Sequence, residues 1–276
     1  MQWITWIASA LAAAFGVAAP LLYGALGEIL TQRAGILNLG LEGVMLIGAA
    51  TGYIVAVNTA SLPLALCVCL LTGLALGLLY ALLTVTLQAN QTVCGLAVVI
   101  FGTGLSGTIG KAYAGIATPV RFTKLAIPGL SQIPVLGEIL FNQDPLIYAL
   151  YFLVPLMFIY IYKTRPGMKL RALGENPAAL DAMGHNVNLM RYAYVMLGTA
   201  ITSIGGLYFT LCYVPSWQDG LTNGNGWIAA ALVIFASWNP LMAAFGAVLF
   251  GLIQVIGLRL PLIGVNVPSY FLCMLP

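Results

Sequence analysis

Residues 64–87 read LALCVCLLTGLALGLLYALLTVTL, a run of 24 residues without one charged side chain. A helical membrane span needs roughly 20 predominantly apolar residues. The run is apolar on every face, and in an apolar chain such a run is a membrane helix rather than a buried strand. Working outward, comparable runs occupy residues 3–23, 36–57, 93–109, 145–162, 192–213 and 241–258, with a shorter one at 227–238. A membrane barrel would alternate apolar and polar residues along each segment, and these runs do not. The expected fold is therefore all-α, a polytopic transmembrane helix bundle of about eight or nine spans with one short or re-entrant element. Residues 1–276 form a single membrane domain, with no separate soluble unit. Residues 267–276 read as the opening of a further span, so a last helix is expected to lie elsewhere or to be cut short.

Composition points the same way. The chain is 61% hydrophobic and 6% charged, against about 25% charged in soluble domains. So little charge cannot cover a water-facing surface, and lipid must face most of the exterior. That places the chain in the cell (inner) membrane as a multi-pass protein and excludes a soluble enzyme. The net charge of +3 comes from only ten cations, too few to indicate nucleic acid. Nothing basic precedes Arg33, so the first run lacks the positive leader of a cleaved signal peptide and reads as a span, with Pro20 near its end. Cys67, Cys69, Cys94, Cys212 and Cys273 all lie in apolar stretches without metal-ligand spacing and read as packing residues. One histidine, His185, leaves no material for a histidine metal site or triad. No Gly-rich loop ending in Gly-Lys-Ser/Thr occurs, so this chain has no cradle for ATP phosphates.

Cation placement sets the orientation. Residues 163–191 carry Lys163, Arg165, Lys169, Arg171 and Arg191, whereas residues 110–144 carry Lys111, Arg121 and Lys124. The excess puts 163–191 in the cytoplasm and 110–144 outside. Counting back places Arg33 inside and the N-terminus outside. Counting forward places the cation-free loop 214–225 outside. A full span at 227–238 would then put Arg259 outside, where it fits the cation rule badly, so the topology after 226 stays open. The pentapeptide LGEIL occurs at 26–30 and 136–140, but the flanking sequences differ and the match reads as coincidence.

Three stretches carry candidate chemistry. In RPGMKLRALGENPAALDAMGHNV (165–187), Asn176 suits an N-cap and Pro177 the first helical position. Gly184 supplies the stop. The result is a helix of about two turns, flanked by Glu175 and Asp181, with Ala178, Ala179 and Ala182 on a small-residue face. So short a helix needs something to dock against, either a partner protein or its own bundle. Arg165, Lys169 and Arg171 are placed to hold this loop at the anionic inner surface. In the second stretch, Asn38 and Glu42 are four apart and are expected on one helix face, among Gly35, Gly40 and Gly43. A charge within a span faces the protein interior or a water-filled path, so Glu42 either meets solute or ties neighbouring helices together. Glu28 and Arg33 are expected in structural contacts near the inner interface. Asn90, Gln91, Thr103 and Ser106 can line a solute path or bond back to their own helix, with Thr103 and Ser106 sharing a face. In the third stretch, SWQDGLTNGNGW (216–227), two Trp bracket turn formers. Asn223 and Asn225 there are candidates for an outer gate or a plain interfacial turn.

The run RALGENPAALDAMG (171–184) resembles the coupling-loop motif of ABC-importer permeases of the branched-chain amino acid, simple-sugar and nucleoside group. GEILTQRAGILNLGLEGVMLIGA (27–49) resembles the group's N-terminal signature, and NGNGWIAAALVIFASWNPLMAAFGAVLFG (223–251) its C-terminal third. The matches span most of the chain in the right order. The resemblance implies a permease subunit of an ABC importer, with Arg171, Glu175, Asn176, Pro177, Ala179, Asp181 and Gly184 forming the element that seats in a cytoplasmic ABC ATPase. It implies a second related permease or a homodimer mate, an extracytoplasmic substrate-binding protein, and ATP with Mg on the ATPase rather than on this chain. The Gly-Glu-Asn-Pro form resembles nucleoside-type members, so the expected solute is a nucleoside, with a simple sugar or a branched-chain amino acid as alternatives. The family's further C-terminal helix is not matched. The main rival is an ion-coupled secondary transporter, whose relay of intramembrane ionisable groups would have Glu42 as its one strong candidate. A membrane-embedded enzyme would need clustered His, Asp or Glu.

Overall fold

The computed structural model describes residues 2–131, 133 and 136–259. Seven helices are long and apolar enough to cross a membrane: α1 (Gln2–Arg33), α2 (Leu41–Thr59), α3 (Leu62–Ala81), α4 (Gln91–Gly110), α6 (Pro145–Lys163), α9 (Val187–Tyr208) and α11 (Pro240–Arg259). Helices α3 and α9 each end in a π-turn, Leu82–Thr86 and Phe209–Tyr213. The short elements are α5 (Leu136–Leu140), α7 (Arg165–Glu175), α8 (Pro177–Ala182), α10 (Asn225–Phe235) and a two-residue antiparallel pair, β1 (Leu125–Ala126) with β2 (Asn142–Gln143). The all-α bundle is as expected, with seven full spans among the described residues. Residues 267–276, read as the start of another span, and Cys273 lie outside them.

Helices α1, α2 and α9 form the centre and the others surround them. About 72% of each central span is buried, against 28–33% for α3, α4, α6 and α11. The outer helices present Leu71, Ile100, Phe152 and Phe245 to the exterior, the side chains that a lipid-facing surface requires. Small residues let the central backbones touch: a Cβ on Gly198 of α9 would sit 2.5 Å from the Gly27 carbonyl oxygen of α1. Cys69 lies buried at the α3–α9 contact, its Sγ donating to the Ser203 carbonyl at 3.3 Å, which is a packing role. The two LGEIL copies occupy unlike places, the buried inner half of α1 and a single turn in the outer connection, and do not mark a repeat.

Several boundaries differ from the sequence reading. Helix α1 does not end at Tyr23; it continues through Pro20 to Arg33. The polar residues that suggested an end are satisfied instead: Thr31 and Gln32 donate to the buried Glu28 carboxylate at 2.6 and 2.8 Å. Helix α2 starts at Leu41, not Ile36. Residues 34–40 run as non-helical chain from the inner end of α1 to mid-bundle, where Gly40 meets Val98 and Gly43 meets Gly102, near the middle of α4. Asn38 and Glu42 therefore do not share a helix face.

The cation-rich connection 163–191 also holds a helix, α7, beyond the one expected at 176–184. Thr164 caps α7, accepting from the Gly167 N–H at 3.2 Å, and Pro166 sits in its first turn. Thr164 and Pro166 are the usual start signals, and the buried Gly167, Leu170 and Leu173 supply the spacing that makes it detectable.

The last described helices run as follows through the bundle. Helix α10 begins in mid-bundle, against Glu42, and ends at Phe235; the turn that follows brings in Trp238, whose indole Nε1 donates to Gln32 at the inner end of α1. A half-length helix is enough to reach that end of the bundle because residues 214–224 run from the Gly110 end of α4 down to Glu42 to meet it. Helix α11 then returns outward, and Arg259 donates to the Ser9 hydroxyl at 2.8 Å near the outer end of α1. Arg259 thus lies at the same end of the bundle as the start of α1.

Candidate functional site

The bundle interior contains two interrupted chain segments, 34–40 and 214–224, and two buried carboxylates hold them. In lipid every freed backbone group needs an internal partner. Glu28 accepts the Asn38 N–H at 2.9 Å. Gln91 Oε1 accepts the Leu37 N–H at 2.8 Å. Tyr80 donates to the Leu37 carbonyl at 2.6 Å and the Gln91 carbonyl at 2.9 Å. Asn38 Oδ1 accepts from the Gly40 N–H at 2.9 Å. The crossing segment is therefore clamped from α1, α3 and α4 together. Asn38 Nδ2 is buried with no partner, a donor group left over in this clamp.

Glu42 holds the second break. One carboxylate oxygen accepts from the Gly224 N–H at 2.9 Å and from the Thr222 hydroxyl, and the other accepts from the Gly226 N–H at 2.7 Å. These are orphan donors at the N-terminus of α10, where a negative charge also meets the positive end of the helix dipole. Of the two roles open to Glu42, this arrangement is the tie between helices. It leaves little of the carboxylate free to serve as a proton relay.

The other predicted path residues divide. Asn38, Glu42 and Gln91 gather around the two breaks. Asn90 instead caps α4, accepting from Thr92 and Val93 at 3.0 and 3.2 Å. Thr103 donates to Val99 at 2.9 Å and Ser106 to Thr103 at 3.2 Å, each back into its own helix. The two are neighbours on α4, Thr103 exposed and Ser106 buried. Asn223 and Asn225 do not sit in a plain interfacial turn. Asn223 adopts a left-handed backbone (φ 45°) and Asn225 donates to the Thr222 carbonyl at 2.6 Å, both beside Glu42. Trp217 is buried against Gly110 at the outer end of α4, while Trp227 opens α10 deeper in the bundle, so the pair does not bracket one interface. Glu28, Gln32, Tyr80, Thr222 and Trp238 were not singled out as site residues. Glu28 with Thr31 and Gln32, three and four residues on, is the one detectable signal, since those side chains can satisfy a buried acid from its own helix.

At the cation-rich end of the bundle, α7 and α8 form a hairpin. Asn176 caps α8 as expected, its Oδ1 accepting from the Ala179 N–H at 3.2 Å. Gly184 ends the segment in the left-handed conformation (φ 78°), with open space where a side chain would stand. Only Leu180 of α8 is buried. Glu175, Ala178, Ala179, Asp181, Ala182 and Met183 are exposed. Met168, Met183 and Leu189 add exposed apolar surface at this end of the bundle. A cavity of about 600 Å³ borders Pro177, Asp181 and His185. Arg171 does not reach outward with the rest: its guanidinium lies 5.5 Å over the Tyr162 ring and packs α7 onto the end of α6. Arg33 approaches the same ring at 5.7 Å. Gly174 abuts the turn after α1, where a Cβ would lie 2.5 Å from the Arg33 carbonyl oxygen. The hairpin therefore rests on the foot of the crossing segment.

Comparison with known proteins follows this geometry. Residues 2–274 match the model of a family described as branched-chain amino acid transport system / permease component. A putative glucose ABC transporter permease protein of Haloferax volcanii is 35% identical over 260 residues, covering 93% of this chain and 79% of its own length. A guanosine ABC transporter permease protein of Bacillus subtilis is 33% identical over 275 residues (94% and 85%). A nucleoside ABC transporter permease protein of Lactococcus lactis subsp. cremoris is 33% identical over 270 residues (93% and 85%). No solved structure matches.

Proposed function

The chain belongs to the permease-component family of branched-chain amino acid transport systems, and from that premise we propose that it is the membrane subunit of an ATP-driven nucleoside importer. The observation that carries the reading is α8, a capped helix anchored by one buried leucine and otherwise exposed at the cation-rich face. Such a helix gains its stability from docking, and the occupant we assign is a cytoplasmic ATPase. ATP and Mg bind on that partner. Two permease chains, twins or relatives, enclose the path, and an extracytoplasmic binding protein delivers the solute. Closure of the ATPase pulls α8, and α7 transmits the pull to the crossing segment through the Gly174 contact. The breaks held by Glu28 and Glu42 sit in mid-bundle, where discontinuous helices of transporters place their solute sites. Support for a nucleoside comes from the two relatives named for guanosine and for nucleosides. The relative named for glucose supports a sugar as the second reading.

Reconstitution with its partner ATPase and binding protein tests the assignment. Uptake of labelled guanosine is expected only with ATP inside the vesicles, with competition by other nucleosides and none by glucose or leucine. ATP-dependent glucose uptake without guanosine uptake would replace the nucleoside reading with the sugar one. Full uptake by the chain alone under an ion gradient would overturn both.

A further inference from the structure

At the cytoplasmic end of the crossing segment lies a cavity of about 210 Å³, bounded by Gln32, Gly35, Ile36, Leu37, Gln91 and Trp238. Two of its walls are fixed in an unusual way. Ser237 and Trp238 both hold left-handed backbones (φ 50° and 57°), a conformation that non-glycine residues keep only where the surroundings impose it. The surroundings here are specific. The indole Nε1 donates to Gln32 Oε1 at 2.6 Å, and Gln32 in turn donates to Glu28. The Trp238 carbonyl accepts from Arg33 and Tyr162, each at 3.5 Å. A tryptophan serving as an interfacial anchor keeps its N–H for the headgroup region. This one turns its N–H inward, so the ring, 38% exposed, lines the cavity.

The opposite wall is an oriented amide. Gln91 Oε1 is taken by the Leu37 N–H, which fixes the flip state, and among the described residues no group accepts from Nε2. The cavity thus joins one immobilised aromatic ring with one free pair of donors. We propose that it is a cytoplasmic release subsite that stacks the base of a nucleoside on Trp238 while Gln91 donates to a ring nitrogen or carbonyl of that base. A hexose would need donors and acceptors all round its ring, and the described side chains here leave free the Gln91 amide nitrogen and one N–H of Gln32, donors without a free acceptor. Base stacking on an aromatic side chain needs no such set. The proposal rests on the nucleoside reading above. It adds that the crossing segment, already clamped to Glu28, carries the last solute contact before release.

The test uses the complete transporter in vesicles, reading how guanosine preloaded on the cytoplasmic side inhibits uptake of labelled guanosine. Trp238→Ala is expected to raise the half-inhibiting concentration by about tenfold or more, while Trp238→Phe, which keeps a stacking face, stays within about threefold. Trp238→Leu, with bulk but no π-face, should follow Ala and not Phe. Gln91→Glu keeps an acceptor for Leu37 and removes the free donors, and should also weaken inhibition by about tenfold. Wild-type inhibition in Trp238→Leu and Gln91→Glu, or no inhibition by preloaded guanosine in the wild type, would overturn the subsite while leaving nucleoside uptake intact. Glucose uptake in place of guanosine uptake would instead remove the substrate reading, and the subsite with it.

Discussion

Ala179→Glu is expected to strip the ATPase from the purified complex and to lower uptake by at least about tenfold, a loss of about 1.4 kcal/mol or more in coupling. The choice of residue separates docking from folding. Ala179 is the third residue of α8 after the Asn176 cap. A glutamate at that position suits a helix start, because its carboxylate meets the positive end of the dipole. Leu180, the buried anchor, is untouched. The variant should therefore fold and insert normally while burying an unpaired charge against the partner, which is costly. Gly184→Val acts by a different route, forcing a β-branched residue into a left-handed backbone, and should give the same phenotype with a weaker effect. Pull-down of the ATPase and ATP-driven uptake measure both. Normal values in both variants would remove α8 from the coupling path.

Glu42→Ala is expected to abolish uptake of every solute and to lower the thermal stability of the detergent-solubilised protein. The substitution leaves the Gly224 and Gly226 N–H groups and the Thr222 hydroxyl without their acceptor. Each unsatisfied buried group costs about 1–3 kcal/mol, and the three together are enough to release the start of α10. Glu42→Gln keeps the volume and one acceptor oxygen but turns an amide donor toward N–H groups, so it should lie between alanine and wild type. A protease added from outside should then cut within residues 214–224. If Glu42 were a solute contact, its loss would change KM for one class of solute and leave the melting temperature alone. That pattern would contradict the tie between the two breaks.

The fold was largely legible because a membrane helix declares itself by length and apolarity. Residues 62–86 and 145–163 differ from their reading by only a residue or two. What the sequence concealed lies where long-range partners override local pattern. The spacing of Glu28, Thr31 and Gln32 is the one local hint that α1 continues, and it is incomplete because Glu28 is satisfied partly by Asn38, on the far side of a turn. Residues 36–40 look like the head of an apolar helix, and only the clamp from Tyr80 and Gln91 explains why they are extended. The Asn176–Gly184 helix was readable because capping is local. Trp238 was not, since its strained backbone and its inward N–H depend on Gln32, more than two hundred positions away. Thr103 and Ser106 were read from helical spacing alone, which cannot show that one faces outward and the other is enclosed.

The account depends on α8 standing free on the cytoplasmic face until an ATPase covers it. A single cysteine at Ala179, in a background lacking the five native cysteines, measures this with a membrane-impermeant maleimide. The expected result is no labelling in intact cells, rapid labelling in inverted vesicles stripped of ATPase, and protection when the ATPase is restored. Labelling from outside intact cells, or no labelling on either side, would contradict the placement on which the coupling mechanism rests.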